Sequence, residues 1–162
     1  MPSQILIRIR VNLISLDLGT KCGWASKSGG VVNSGTMNFT LSRFDGRGMQ
    51  FLKFRKFLTE LTDAVSPELI SLEEVRRHLG VDAAHAYGGY LAHVSAYCEG
   101  VGIAHTGVPV GTIKKHATGK GNASKEDMIA AAKKLYPDQD IVDDNQADAL
   151  CLLSYTEEQY KY

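Results

Sequence analysis

The apolar residues of this chain fall into short runs and longer periodic stretches, and their spacing predicts the order of strands and helices. The short runs are separated by turn residues, a pattern typical of strands. They predict five strands, at Val11–Asp17, Cys22–Lys27, Val31–Phe39, Glu68–Glu73 and Gly102–Val108. A Ser-Gly-Gly sequence between the second and third runs favours a hairpin.

The periodic stretches predict helices. Apolar residues beginning with Phe44 recur at roughly helical spacing, so a helix capped by Ser42 is expected over about Arg43–Val65. Further helices are expected over Asp82–Gly100, from the cap Ser124 to about Leu135 and over Asn145–Glu158, with a short one at Ile113–Ala117. Because strands and helices alternate in the second half, we predict an α/β fold with a mixed five-stranded sheet.

Length and composition bound the kind of protein. The 162 residues are enough for one domain, which we place at residues 11–162. Residues 1–10 are either an extra edge strand or an N-terminal extension. Hydrophobic residues make up 44% without a run as long as a membrane span, so no membrane partner is expected. The three cysteines are far apart and lack metal-ligand spacing, which favours reduced thiols in a cytoplasmic protein.

The charges are unevenly distributed although their sum is +0. Residues 1–60 carry +6, residues 61–113 carry −4, residues 114–134 carry +4 and residues 135–162 carry −6. Ordinary variation along a solvated surface is the simpler explanation when these blocks are taken alone. The blocks also suit a protein that holds divalent cations and a polyanion together, with salt-dependent binding despite its neutrality.

Three carboxylates stand at the ends of predicted elements. Asp17 closes the first strand, Glu73 closes the fourth and Asp148 lies near the start of the last helix. Adjacent strand residues point to opposite faces, and the context favours Glu73 over Glu74 for a shared site. Each carboxylate alone is better explained by a turn, an ion pair or a cap. Together they suggest a site for Mg²⁺ or Mn²⁺, which prefer oxygen ligands.

The motifs around these carboxylates resemble those of RuvC-type Holliday-junction resolvases. They read Leu16-Asp17-Leu18-Gly19-Thr20, Ser71-Leu72-Glu73-Glu74-Val75 and Gln146-Ala147-Asp148-Ala149-Leu150. Their order and spacing match across about residues 11–156. The resemblance implies a ribonuclease H-like fold with helices on both faces of the sheet, and a homodimer. It also implies paired nicking of four-way DNA junctions with two Mg²⁺ ions per site, for which Mn²⁺ is a possible substitute.

The same resemblance implies a catalytic set with one departure. Asp17, Glu73 and Asp148 would carry the metals, and Lys125 would lie near the scissile phosphate. The family usually has a fourth acidic residue three positions before the last aspartate, where this chain has Asn145. Either Asn145 is a neutral ligand or Asp144 takes this role, and we favour Asp144.

Basic residues near the motifs are candidate DNA contacts, although each also fits an ordinary surface position. The set is Arg76, Arg77, His78, Lys114, Lys115, Lys120 and Lys125. Some family members have an aromatic wedge after the second-motif glutamate, where this chain has Val75-Arg76-Arg77-His78. Arginine grips phosphate but does not unstack bases as a ring does. Junction specificity is therefore less firmly indicated than nuclease chemistry.

Three alternatives remain open. A nuclease of the same fold could act on other branched DNA or on RNA, and a change at Asn145 could mark a binding module without activity. Asp17-Leu18-Gly19-Thr20 also resembles the phosphate turn of actin-like ATPases. Those proteins need two lobes and a second phosphate loop, so no nucleotide cofactor is expected. The ending soon after the last motif is similar to that of phage-type members, for which the compartment would be the host cytoplasm.

Overall fold

The computed structural model describes residues 10–78 and 80–160, which form a mixed five-stranded sheet with five helices. The strands are β1 (Leu13–Asp17), β2 (Lys21–Ser28), β3 (Val31–Asn38), β4 (Leu69–Glu74) and β5 (Ala104–Pro109). The helices are α1 (Met49–Val65), α2 (Val81–Val101), α3 (Val110–Thr118), α4 (Lys125–Leu135) and α5 (Asp144–Gln159). The predicted order of elements is confirmed. Residues 1–9 lie outside the described residues, and so does the choice between an extra edge strand and an N-terminal extension.

The strand order is β3-β2-β1-β4-β5, and the strand directions bring the functional motifs to one edge. β1, β4 and β5 are parallel, whereas β2 is antiparallel to both β1 and β3. The carboxyl ends of β1, β4 and β5 therefore share an edge with the start of β2 and the end of β3. We call this the carboxyl edge.

Helices cover both faces of the sheet, as expected. On one face α1 and α2 pack through Phe54, Leu58, Tyr90 and Val94 against Ile14 and its neighbours. On the other face α3, α4 and α5 share a second core. α5 has eight buried residues, among them Leu150, Leu152 and Leu153, and crosses behind β1 and β2. Its central position explains how a residue of the last helix reaches the ends of the first and fourth strands.

The prediction for the first helix was wrong at its start. α1 begins at Met49, because residues 42–45 close a separate turn and Gly46 and Gly48 follow it. Ser42 belongs to that turn and does not cap the helix. Phe44, assigned to the apolar face of the helix, is 84% exposed.

The boundary between α2 and β5 also differs from the prediction. Gly102 has φ +76° and ends α2, with its N–H donating to the carbonyl of Cys98. β5 therefore starts at Ala104, because a left-handed residue at the helix end interrupts the extended chain. Within the described ranges, all strands join one sheet, and no helix is long and apolar enough to cross a membrane.

Candidate active site

The three motif carboxylates meet at the carboxyl edge. Asp17 ends β1, Glu73 lies at the end of β4, and Asp148 projects from the second turn of α5. One carboxylate oxygen from each residue lies within 4.8 Å of the other two. Strand alternation explains the meeting, since Asp17 and Glu73 share a sheet face with Ser15 and Ser71, which face α5. The site therefore draws one oxygen ligand from each of three separate elements.

Burial and mutual repulsion raise the pKa of these carboxyl groups above their ordinary values. Burial raises the pKa of Asp17 well above its ordinary value, and the neighbouring Glu73 raises it further. Burial also raises the pKa of Glu73, which accepts a hydrogen bond from Asp17. Burial and the charges of Glu73 and Asp144 raise the pKa of Asp148 to about 7. Such a cluster resists carrying all its negative charge without a cation, which is the electrostatic condition for divalent metal binding.

A glycine opposite Asp17 lets α5 approach the sheet. Gly23 pairs with Asp17 across the β1–β2 ladder. A Cβ atom at Gly23 would lie 1.8 Å from the carbonyl oxygen of Asn145 and 2.4 Å from its carbon. The first turn of α5 thus occupies the space of a missing side chain. This contact holds the first turn of α5, which directly precedes Asp148, against the sheet, and sequence reasoning missed it.

The start of α5 is fixed by a buried amide. Gln146 is 3% exposed, and its Nε2 donates to Ser34 Oγ and to the carbonyl of Asp140, both at 3.0 Å. Asp143 caps the helix, with its Oδ1 accepting from Gln146 N at 2.8 Å and from Thr36 Oγ1 at 2.7 Å. An aspartate directly before a helix is a recognisable cap, so the sequence carried this signal. Asp143 is therefore occupied as the helix cap.

Asp144 lies beside the cluster, but the oxygens that meet within 4.8 Å come from the other three residues. Its carboxylate raises the pKa of both Asp17 and Asp148, which places it close to them. Its Oδ2 is 3.6 Å from Lys125 Nζ. Asn145 contributes its backbone carbonyl to the contact with Gly23. The geometry leaves Asp144 as an outer carboxylate paired with a lysine.

The four predicted lysines divide into two groups. Lys114 in α3 and Lys125 at the start of α4 both lower the pKa of Asp148, and Lys114 also lowers that of Glu73. These two cations flank the carboxylates. Lys115 and Lys120 are exposed on α3 and the turn after it, without an ion pair among the described residues.

The loop after Glu73 is held by a tyrosine. Tyr87 Oη in α2 donates to the carbonyl of Glu73 at 3.0 Å and accepts from Val75 N at 3.2 Å. The ring of His78 packs against Tyr87 with centroids 4.9 Å apart. Arg76 and Arg77 are exposed on this loop, and Arg76 pairs with Glu74, not with Glu73. Tyr87 therefore fixes the backbone that carries both Glu73 and the two arginines.

Buried hydroxyl groups join the three elements below the carboxylates. Ser15 Oγ and Ser71 Oγ are 2.7 Å apart, and Thr156 Oγ1 lies 2.9 Å from Ser71 Oγ. Ser15 and Ser71 precede Asp17 and Glu73 by two residues on their strands. These hydrogen bonds link β1, β4 and α5. Apolar side chains in the same positions would provide no such directional contacts.

The fold is an α/β architecture that is similar to those of solved Holliday junction resolvases. RuvC of Thermus thermophilus in complex with a Holliday junction substrate superposes with a TM-score of 0.77 at 17% identity, covering 93% of this chain and 97% of that one. The yeast mitochondrial Holliday junction resolvase Ydc2 superposes at 0.60 and 15% identity, covering 88% of this chain and 77% of that one.

The resolvase of Fowlpox virus, solved with substrate Holliday junction DNA, superposes at a TM-score of 0.53 and 12% identity, covering 90% of this chain and 99% of that one. No family model and no curated protein sequence matches the chain. The predicted likeness to RuvC is thus confirmed for the fold, although the sequence identities to these structures are only 12–17%.

Proposed function

We propose that this protein is a metal-dependent endonuclease that resolves four-way DNA junctions by paired nicks. The observation that carries the proposal is the convergence of Asp17, Glu73 and Asp148 within 4.8 Å, in a fold shared with junction resolvases. Carboxylates without histidine or cysteine partners suit Mg²⁺, with Mn²⁺ as a substitute. The phosphodiester is the substrate class that such a site can hydrolyse.

Each residue would have a distinct part in the reaction. Asp17, Glu73 and Asp148 would hold the ions, with Asp144 as the fourth ligand. Two Mg²⁺ ions would supply activation of a water and stabilisation of the leaving oxygen. Lys125 and Lys114 flank the carboxylates, so either ammonium group can stabilise negative charge that grows on the phosphate. The DNA backbone would be held by His78 and by four exposed basic residues, Arg76, Arg77, Lys115 and Lys120.

The decisive experiment compares a synthetic four-way junction with linear duplex of the same sequence, each with and without Mg²⁺. We expect symmetric nicks in the junction that require the metal, and their loss in the Asp148→Asn variant. Asp63→Asn, the same change at an exposed position of α1 far from the cluster, is the matched control that should keep activity. Cleavage of linear duplex at the same rate would instead favour a same-fold nuclease on other nucleic acids.

We also propose a homodimer, as paired nicks require two active sites. The support comes from α2, whose outward residues Gly88, Ala92, Ala96 and Gly100 are all exposed and recur every four positions. Small side chains allow two helices to approach closely. Ala92→Arg should give a monomer in sedimentation, whereas Ala130→Arg on the exposed face of α4 should not. A cytoplasmic site of action would fit this substrate.

A further inference from the structure

The turn Ser42–Asp45 holds an aromatic side chain out in solvent. Asp45 N donates to the Ser42 carbonyl at 3.1 Å, and Ser42 N donates to Asp45 Oδ2 at 2.9 Å. Phe44 N donates to Ser42 Oγ at 3.3 Å. These bonds place Arg43 and Phe44 at the corner of the turn. The ring is 84% exposed, more than any other large apolar side chain of the described residues.

The segment that carries the turn begins at the end of the sheet where the candidate active site lies. The segment that carries it leaves β3 at the carboxyl edge, where Phe39 N donates to the carbonyl of Thr20 at 2.7 Å. Thr20 lies in the connection that follows Asp17. A nucleic acid bound across the carboxyl edge would therefore pass close to this segment.

The surroundings of Phe44 are basic. The Arg43 guanidinium carbon lies 4.6 Å from the centroid of the Phe44 ring and covers one of its faces. Arg47 is exposed on the same segment, and Asp45 is engaged within the turn and by Lys53 at 3.4 Å. A symmetric contact between two such turns would bring like charges together, which disfavours a second copy as the partner. An exposed ring among cations suits a nucleobase with its phosphates.

We propose that Phe44 stacks on an unpaired base of the DNA while Arg43 and Arg47 bind the adjacent phosphates. This inference rests on the proposed function and adds a recognition surface to it. It predicts a preference for DNA in which bases are unstacked, as at a branch point. Because hydrogen bonds already fix the backbone of the turn, binding does not have to order that backbone, which favours affinity.

The test measures binding in an Asp148→Asn background, so that the DNA stays intact. We expect Phe44→Ala to weaken binding to a four-way junction by about 5- to 150-fold, the value of one stacked base, and Phe44→Tyr to restore it. Affinity for linear duplex should change less than twofold. Arg43→Ala should reduce the salt dependence by about one phosphate contact. Val142→Ala, which removes another exposed apolar side chain, is the control and should bind normally.

Equal losses on junction and duplex, or no loss, would overturn the inference. A change in sedimentation of Phe44→Ala would do so as well, because it assigns the ring to a contact between copies. These failures differ from failure of the proposed function. If the unmodified protein nicks junctions while Phe44→Ala binds them normally, only the stacking role is wrong.

Discussion

Replacing Gly23 by alanine tests whether the close approach of α5 to β2 aligns the carboxylates. The added Cβ would lie 1.8 Å from the Asn145 carbonyl oxygen, whereas real Cβ atoms do not approach such atoms within 3.0 Å. The first turn of α5 must therefore retreat by about 1.2 Å. Backbone lies on both sides of this contact, so no side-chain rotation can relieve it. Asp148 would move with the helix, away from Asp17 and Glu73.

The expected cost appears in stability and in activity. Overpacking of this kind typically costs about 1–3 kcal/mol, equivalent to a fall in Tm of roughly 2–12 °C for a chain of this size. A displacement of about 1 Å at a reacting group can cost about 100-fold in rate. We therefore expect Gly23→Ala to fold but to nick junctions about 100-fold more slowly, and to need more Mg²⁺ for half-maximal activity.

The assay is single-turnover nicking of a labelled junction across a Mg²⁺ titration, with thermal unfolding measured in parallel. Gly107→Ala in β5 is the matched control, since its Cβ would meet only the flexible Glu74 side chain, at 3.3 Å. This control should keep its rate within about twofold. A Gly23→Ala protein with the rate and metal requirement of the unmodified chain would refute the idea that this glycine positions α5.

Three further predictions follow from the site. Because the pKa of Asp148 is raised to about 7, the free energy of unfolding of the metal-free protein should fall as pH rises from about 4 to 7. Asp148→Asn should recover up to about 4 kcal/mol of this free energy at pH 8, measured by thermal unfolding. An unchanged Tm would contradict this. Tyr87→Phe should lower stability by about 1–2 kcal/mol and raise the Mg²⁺ requirement, since it frees the backbone around Glu73. For the fourth ligand, Asp144→Asn should reduce nicking at least about 10-fold while Asn145→Ala changes it little, and full activity of Asp144→Asn would disprove our choice.

The convergence of the carboxylates was predictable from local sequence. Asp17 and Glu73 end apolar runs on parallel strands, and the two-residue alternation assigns both side chains to one face. The helical placement of Asp148 followed from the apolar pattern of residues 145–158. These signals depend on neighbours along the chain, whereas the meeting of all three side chains at one site was implied by the resemblance to RuvC-type resolvases.

The features that escaped prediction depend on contacts distant in sequence. Gly23 reads as an ordinary strand residue until α5 lies over it, 122 positions later. Gln146 looks like a surface amide, yet it is buried by β3 and the loop before α5. The assignment of Phe44 to the first helix was wrong for a different reason. The helical spacing of apolar residues continues through this segment, but turn hydrogen bonds and two glycines start the helix only at Met49.

The buried hydroxyl chain has a consequence for how the sheet assembles. A slip of β4 by two residues against β1 keeps every side chain on its proper face, so apolar patterning alone does not prevent it. Such a slip would set Ser71 beside Leu13 or Asp17 instead of Ser15, and would leave buried hydroxyls unsatisfied at about 1–3 kcal/mol each. The paired serines thus penalise a two-residue slip that apolar patterning permits, and they favour the register that brings Glu73 to the cluster.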